Sequence, residues 1–193
     1  MYKRMTALAM AGLVLQGCST VPLGSIPKLA RIDFMTTDLS HLRVAIALPL
    51  ALAPKPQGVV MEMKYRVGEE PEQQEDLHLV EVQSTADKAG LPSGGDHAEA
   101  LFVFRLSAED VAKLDGLRIR VTEAKARREK GSLGLGIEAK EFCKISNLPD
   151  GPALTTTYVL TSENDGYVTI SRDFDLRSDA KVADGLANLE FCH

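Results

Sequence analysis

Ser25-Ile26-Pro27-Lys28 matches Ser-x-x-Lys, a spacing that lets a lysine activate a serine nucleophile from the next turn of a helix. Here a proline lies between the two, and no Ser-Asp-Asn or Lys-Thr-Gly follows, so no catalysis is assigned to them. Gly131-Ser132-Leu133-Gly134-Leu135-Gly136 has the glycine density of a phosphate loop. That chemistry needs glycines between a strand and a helix, so that helix amides meet the phosphate. These glycines instead alternate with leucine, which is a strand pattern, and they are expected to allow close packing or a sharp bend. His41, His78, His97 and His193 show no ligand spacing, and no metal site or cofactor is expected. Glu163-Asn164-Asp165 and Asp173-Phe174-Asp175 bring carboxylates together, as hydrolysis or Ca²⁺ binding would require. The first reads better as a turn and the second as a strand with a solvated acidic face. Lys125 to Lys130 is the one basic cluster, suited to anionic headgroups or an acidic partner, or to a plain solvated loop. Leu91-Pro92-Ser93-Gly94-Gly95 reads as a loop that could rim a binding site.

The N-terminus carries a more specific signal. Lys3 and Arg4 precede an apolar run from Met5 to Leu15, broken by Thr6 and Gly12. The run has the length of a signal-peptide apolar region and is too short for a bilayer core, which takes roughly 20 residues. It ends in Leu15-Gln16-Gly17-Cys18, which resembles the lipobox of bacterial lipoproteins. The resemblance covers about the first twenty residues. It implies that residues 1–17 are a cleaved signal peptide, with Leu15, Gln16 and Gly17 read by the signal peptidase. Cys18 then becomes the first residue of the mature chain, with a diacylglyceryl group on sulfur and often an acylated amino end, commonly palmitate. One acyl chain binds a membrane marginally, and two or three bind it stably. Enteric lipoproteins retained at the inner membrane carry Asp after the cysteine. By resemblance, Ser19 implies an outer-membrane protein that faces the periplasm.

With Cys18 consumed by lipid, Cys143 and Cys192 remain, an even number in an oxidising compartment. They are expected to form a disulfide that pins the C-terminus; the alternative is two separate buried thiols. Removing Lys3 and Arg4 from the 22 basic residues leaves 20 against 27 acidic ones, a formal charge of −7. That balance argues against nucleic acid as a partner, since phosphate binding needs a basic surface, and against an electrostatic grip on anionic lipid.

The elements that position these residues read as mainly β. Residues 18–28, with two prolines and a glycine, read as the lipidated cysteine and a tether. Residues 29–193 then form one domain. Ile32 and Phe34 alternate with polar neighbours, as do Leu42, Val44, Ile46 and Leu48. From Val59 to Val67, odd positions are apolar and Glu62, Lys64 and Arg66 face the other way, which suits a strand half on a core and half in water. Leu77 to Val82 is β-rich with ambiguous parity, so a bulge is expected. Leu101 to Leu106 reads as a central strand. Leu117, Ile119 and Val121 alternate with Arg118, Arg120 and Thr122, and Leu133 to Ile137 alternate with glycine. Thr157–Thr161 and Tyr167–Leu176 flank an Asp165-Gly166 turn, a hairpin signal. Ser107-Ala108-Glu109-Asp110 has the form of a capping box, opening a helix of two turns that Gly116 ends. A weaker helical turn is expected near Asp184 to Leu189. About nine strands predict an antiparallel β-sandwich, immunoglobulin-like in class, with one short connecting helix.

Three functions suit such a chain. The first is a non-enzymatic binding or structural module, held by lipid in the cell envelope and presenting loops or an edge strand to another envelope protein. The second is a carrier: a sandwich or half-open barrel with an apolar cavity for a lipid or small hydrophobe, in which Met61 and Met63 would adapt to the ligand. The third, ranked below both, is a cell-wall hydrolase.

Overall fold

The computed structural model describes residues 22–91, 99–178 and 180–193. The lipobox, Cys18, Ser19, most of the 91–95 loop and His97 lie outside these residues.

Among the described residues ten strands form three antiparallel sheets. β1 (Arg43–Pro49), β5 (Val80–Val82), β6 (Glu99–Arg105), β9 (Leu154–Leu160) and β10 (Val168–Asp175) make a sheet in the order β10-β9-β1-β6-β5. β3 (Val59–Val67), β4 (Gln73–His78) and β7 (Gly131–Ala139) make a second, in the order β4-β3-β7. β2 (Leu52–Pro54) pairs with β8 (Phe142–Lys144). Leu42 just before β1, Val44, Ile46 and Leu48 on one sheet, and Val59, Met61, Met63 and Leu77 on the other are buried in one shared core. Ala45 and Ala47, on the opposite face of β1, are buried with Val103, Tyr158 and Tyr167. β1 is thus buried on both faces.

The long β3 strand follows its alternating pattern. Met61 pairs across to Ile137 and Leu77, and Met63 to Leu135 and Glu75, so the apolar residues of three strands share one face. Parity fails at Leu77–Val82 because the chain changes sheets there. β4 pairs with β3, β5 pairs with β6, and buried Leu79 between them donates its N–H to the Val59 carbonyl at 2.9 Å.

Four expectations are corrected. The helix that begins at Ser107 does not stop at Gly116: α2 spans Ala108–Ala126, 19 residues, and absorbs the strand expected at 117–122. Leu114, Leu117, Val121 and Ala124 are buried at helical spacing, whereas Ile119 is exposed. A three-residue alternation fits either period, and burial on this stripe decides for the helix. Second, Ile32 and Phe34 lie in a turn held by Asp33, whose carbonyl accepts from the amides of Thr36 and Thr37. Third, the expected tether is structured from Leu23: a 3₁₀ turn, Leu23–Ser25, runs into α1 (Ile26–Leu29) and packs on β10. Fourth, the β9–β10 hairpin forms, but Gly166 is not at positive φ. Its loop is held instead by Thr161, whose carbonyl accepts from the Asn164 amide and whose hydroxyl accepts from Asn164 Nδ2.

The C-terminal helical turn is present as α3 (Ala180–Ala187). Cys143 and Cys192 are bonded, closing 49 residues. The Cys192 amide donates to the Lys144 carbonyl and the Lys144 amide to the Glu190 carbonyl, so the chain end is laid against β8. No described helix is long and apolar enough to cross a membrane.

Candidate functional site

Among the described residues β7 has a neighbour on one side only, and so has β10. Between these two sheet edges no ladder forms, and the apolar face of β7 is only partly covered. Helix α2 shields one end of that face: the backbone of Val121 lies so close to Gly131 that a Cβ there would sit 2.9 Å from its carbonyl oxygen. Lys113 near the other end of α2 pairs with Glu75 on β4. The helix therefore crosses the sheet toward β4 and leaves the Ile137–Ala139 end of β7 looking toward β9 and β10.

Two adjoining cavities occupy that gap. The smaller, about 230 Å³, is lined by Leu29, Ile32, Phe34, Met61, Leu135 and Ile170, among others. The larger, about 640 Å³, is lined by Ile46, Ile137, Thr155, Thr157, Ser171 and Phe174, among others. Ile137 belongs to both. The larger volume lies within the range of small-molecule sites, roughly 300–1,000 Å³. The smaller cavity has an almost wholly apolar wall. The larger adds hydroxyls, of which Thr155 already donates to the Ala47 carbonyl at 2.8 Å. Its charged rim is paired. Lys140 meets Asp76 and Glu138, and the hydrogen bond that its ammonium donates to Asp76 is the main cause that holds it above the ordinary lysine range.

The residues singled out for chemistry are dispersed. Ser25 is buried where the 3₁₀ turn meets α1, but Lys28 is exposed and no hydrogen bond joins them. His78 Nδ1 meets the Gln57 carbonyl at 2.9 Å. His41 Nδ1 lies 2.8 Å from Asp38 Oδ2, beside Ser40. This trio has the residue types of a hydrolytic triad without its relay. The Ser40 hydroxyl donates to Asp38, and both contact the same imidazole nitrogen. Asp38 is the cap of a 3₁₀ turn, Leu39–His41, and accepts the Ser40 amide at 2.9 Å. Asp175 ties β9 to β10 by accepting from the amides of Ala153 and Arg177. Arg127 pairs with Glu129, and Lys130 lies 3.7 Å from Glu69, so the basic cluster is partly neutralised. Among the described residues no group of three His, Cys, Asp or Glu could hold a metal ion.

The glycines of β7 divide. Only Gly131 makes a close approach; a Cβ at Gly134 or Gly136 would meet ordinary contacts, so the expected close packing fails there. The sequence signals only part of the cleft: of the two methionines suited to an apolar pocket, Met61 lines it and Met63 lies in the core. The wall formed by Ile137, Ile170 and Phe174 has no local signal, because it depends on which strands end each sheet.

No family model matches the chain, and no curated protein or solved structure matches it.

Proposed function

We propose that this chain is a lipid-anchored, non-enzymatic module of the cell envelope, and that it carries an elongated apolar ligand. The anchor is the acylated Cys18 of the mature chain, at the outer membrane and facing the periplasm. The ligand site is the cleft between β7 and β10, and this cleft is the observation that supports the reading. A bare apolar strip at a sheet edge costs free energy in water, about 25 cal/mol for each Å² left exposed. A hydrophobic ligand would relieve that cost, with Ile137, Ile170 and Phe174 against its tail and the Ser171 and Thr157 hydroxyls near its more polar part.

Native mass spectrometry of the chain from Ser19 onward, gently purified from cells, tests this. A bound species of a few hundred daltons that organic solvent removes is expected. A clean apo mass, together with no uptake of a long-chain fatty acid or lysolipid, would refute the carrier.

One observation favours a second reading, in which the module presents a surface to another envelope protein. Leu50, Ile145 and Phe191 are exposed apolar residues on adjoining segments. The Ile145 amide donates to the carbonyl of Ala51, next to Leu50, and Phe191 bridges Lys144. Crosslinking in cells from Ile145, followed by mass spectrometry, would recover one reproducible partner under this reading and none under the first.

A further inference from the structure

The first described turns of the chain expose two large apolar residues three positions apart. Leu23 is 84% exposed and Ile26 50% exposed. Neither is left out by accident of a floppy tail, since the turn is fixed from behind. Ser25 is buried, Leu29 packs on the core, and the segment lies against β10. The outward side of this turn therefore presents Leu23 and Ile26 on a fixed base. Lys28 and Arg31 are also exposed beside them, and neither has a carboxylate partner among the described residues. The nearest acid in sequence, Asp33, spends Oδ1 on the Met35 amide.

Chain length adds a constraint. Leu23 is five residues beyond Cys18, and an extended chain spans at most about 3.6 Å per residue. If the sulfur of Cys18 carries acyl chains in a bilayer, Leu23 stays within about 18 Å of that point. A surface so close to lipid, apolar at its tip and cationic at its flank, has the composition of an interfacial contact. The whole mature chain is acidic, but charges more than about 10 Å apart are largely screened at physiological salt, so the local cations decide.

We propose that Pro22–Arg31 is a membrane-seating surface for a bilayer with anionic headgroups, and that it holds the cleft mouth at the lipid. The same short segment that points Leu23 and Ile26 outward sends Leu29, and then Ile32 and Phe34, into the wall of the smaller cavity. Seating the turn in the headgroup layer thus opens the cleft toward the bilayer, so that an apolar ligand passes between membrane and protein without crossing water. This inference rests on the anchor and carrier readings above, and it adds an orientation.

The test uses the full chain made in bacteria, with its mass measured first. Leu23→Cys and, separately, Glu70→Cys in the exposed β3–β4 turn carry a bimane probe, in vesicles that contain phosphatidylglycerol and lipid spin-labelled high on the acyl chain. Quenching at position 23 at least threefold stronger than at position 70 is expected, and Lys28→Glu with Arg31→Glu should reduce it. Equal, weak quenching at both sites in a protein that carries acyl mass would overturn the seating surface and leave the anchor intact. If the mass shows no acyl group, the anchor reading fails, and the unlipidated chain decides the surface by co-sedimentation with the same vesicles. There Leu23→Asp with Ile26→Asp should lower partition by roughly tenfold or more, as withdrawal of two apolar side chains requires. Unchanged partition would overturn the proposal.

Discussion

Asp38 is an exposed carboxylate whose titration is set by its neighbours. The hydrogen bonds from the Ser40 hydroxyl and amide, then the contact with His41, bring its pKa down to about 2. Because the folded value lies below the ordinary one near 3.8, its stabilising effect is present above that pH and is lost as pH falls through about 2. A carboxyl-carbon NMR titration should place the Asp38 midpoint near 2, and Ser40→Ala should move it up toward the ordinary carboxylate range. Gly58 is constrained by space. A Cβ there would stand 2.4 Å from the Glu141 carbonyl oxygen and 2.9 Å from that of Lys55, both backbone atoms. The Gly58 carbonyl also accepts from the amides of Lys140 and Glu141. Gly58→Ala should therefore lower stability by roughly 1–3 kcal/mol in urea denaturation, the usual cost of overpacking. The Gly58 constraint has no sequence signature: Gly58 looks like an ordinary turn glycine, and its closest clash comes from a segment 83 residues away.

At the scale of elements, α2 shows why local reading succeeds at a helix start and fails along its length. The Ser107 side chain accepts the Asp110 amide at 3.0 Å, the first half of the expected capping box. The second half differs: the Asp110 carboxylate accepts a hydrogen bond from the Ser107 hydroxyl at 2.6 Å. Glycine favours helix ends, yet Gly116 sits mid-helix with nothing within 4 Å of where a Cβ would be. Gly116→Ala should thus raise stability by about 0.5–1 kcal/mol, measured by thermal or urea unfolding, with unchanged helicity. A loss of stability would mean that the helix interior is more crowded than this. The C-terminal elements depend on covalent closure. Cys143→Ser with Cys192→Ser should cost ~4 kcal/mol on the chain-entropy model. Hydrogen exchange should then show the amides of Lys144 and Cys192 opening first, since they hold the chain end to β8.

Over the whole molecule, the cleft is a product of strand order. β7 closes one sheet and β10 the other, and their facing side chains come from segments about 35 residues apart in sequence. Ile137→Trp, at the residue common to both cavities, should reduce uptake of a fatty acid by tenfold or more while the midpoint of thermal unfolding changes little. The site is half-buried and has room for the larger ring. Retained uptake would move the ligand elsewhere. Sequence by itself determined the mainly β class, the β3 strand and the Ser107 helix start, and it made the pairing of Cys143 with Cys192 an expectation that the structure closes. Each follows from a local period, a cap, or the count of cysteines left once one is set aside. Tertiary structure decided the rest: that 117–122 is helix, that the chain changes sheets at Leu79, and that an apolar gap stays open beside Ile137. A short alternation satisfies two periods equally, and an edge strand has the same side chains as an inner one. Only burial against distant residues separates them.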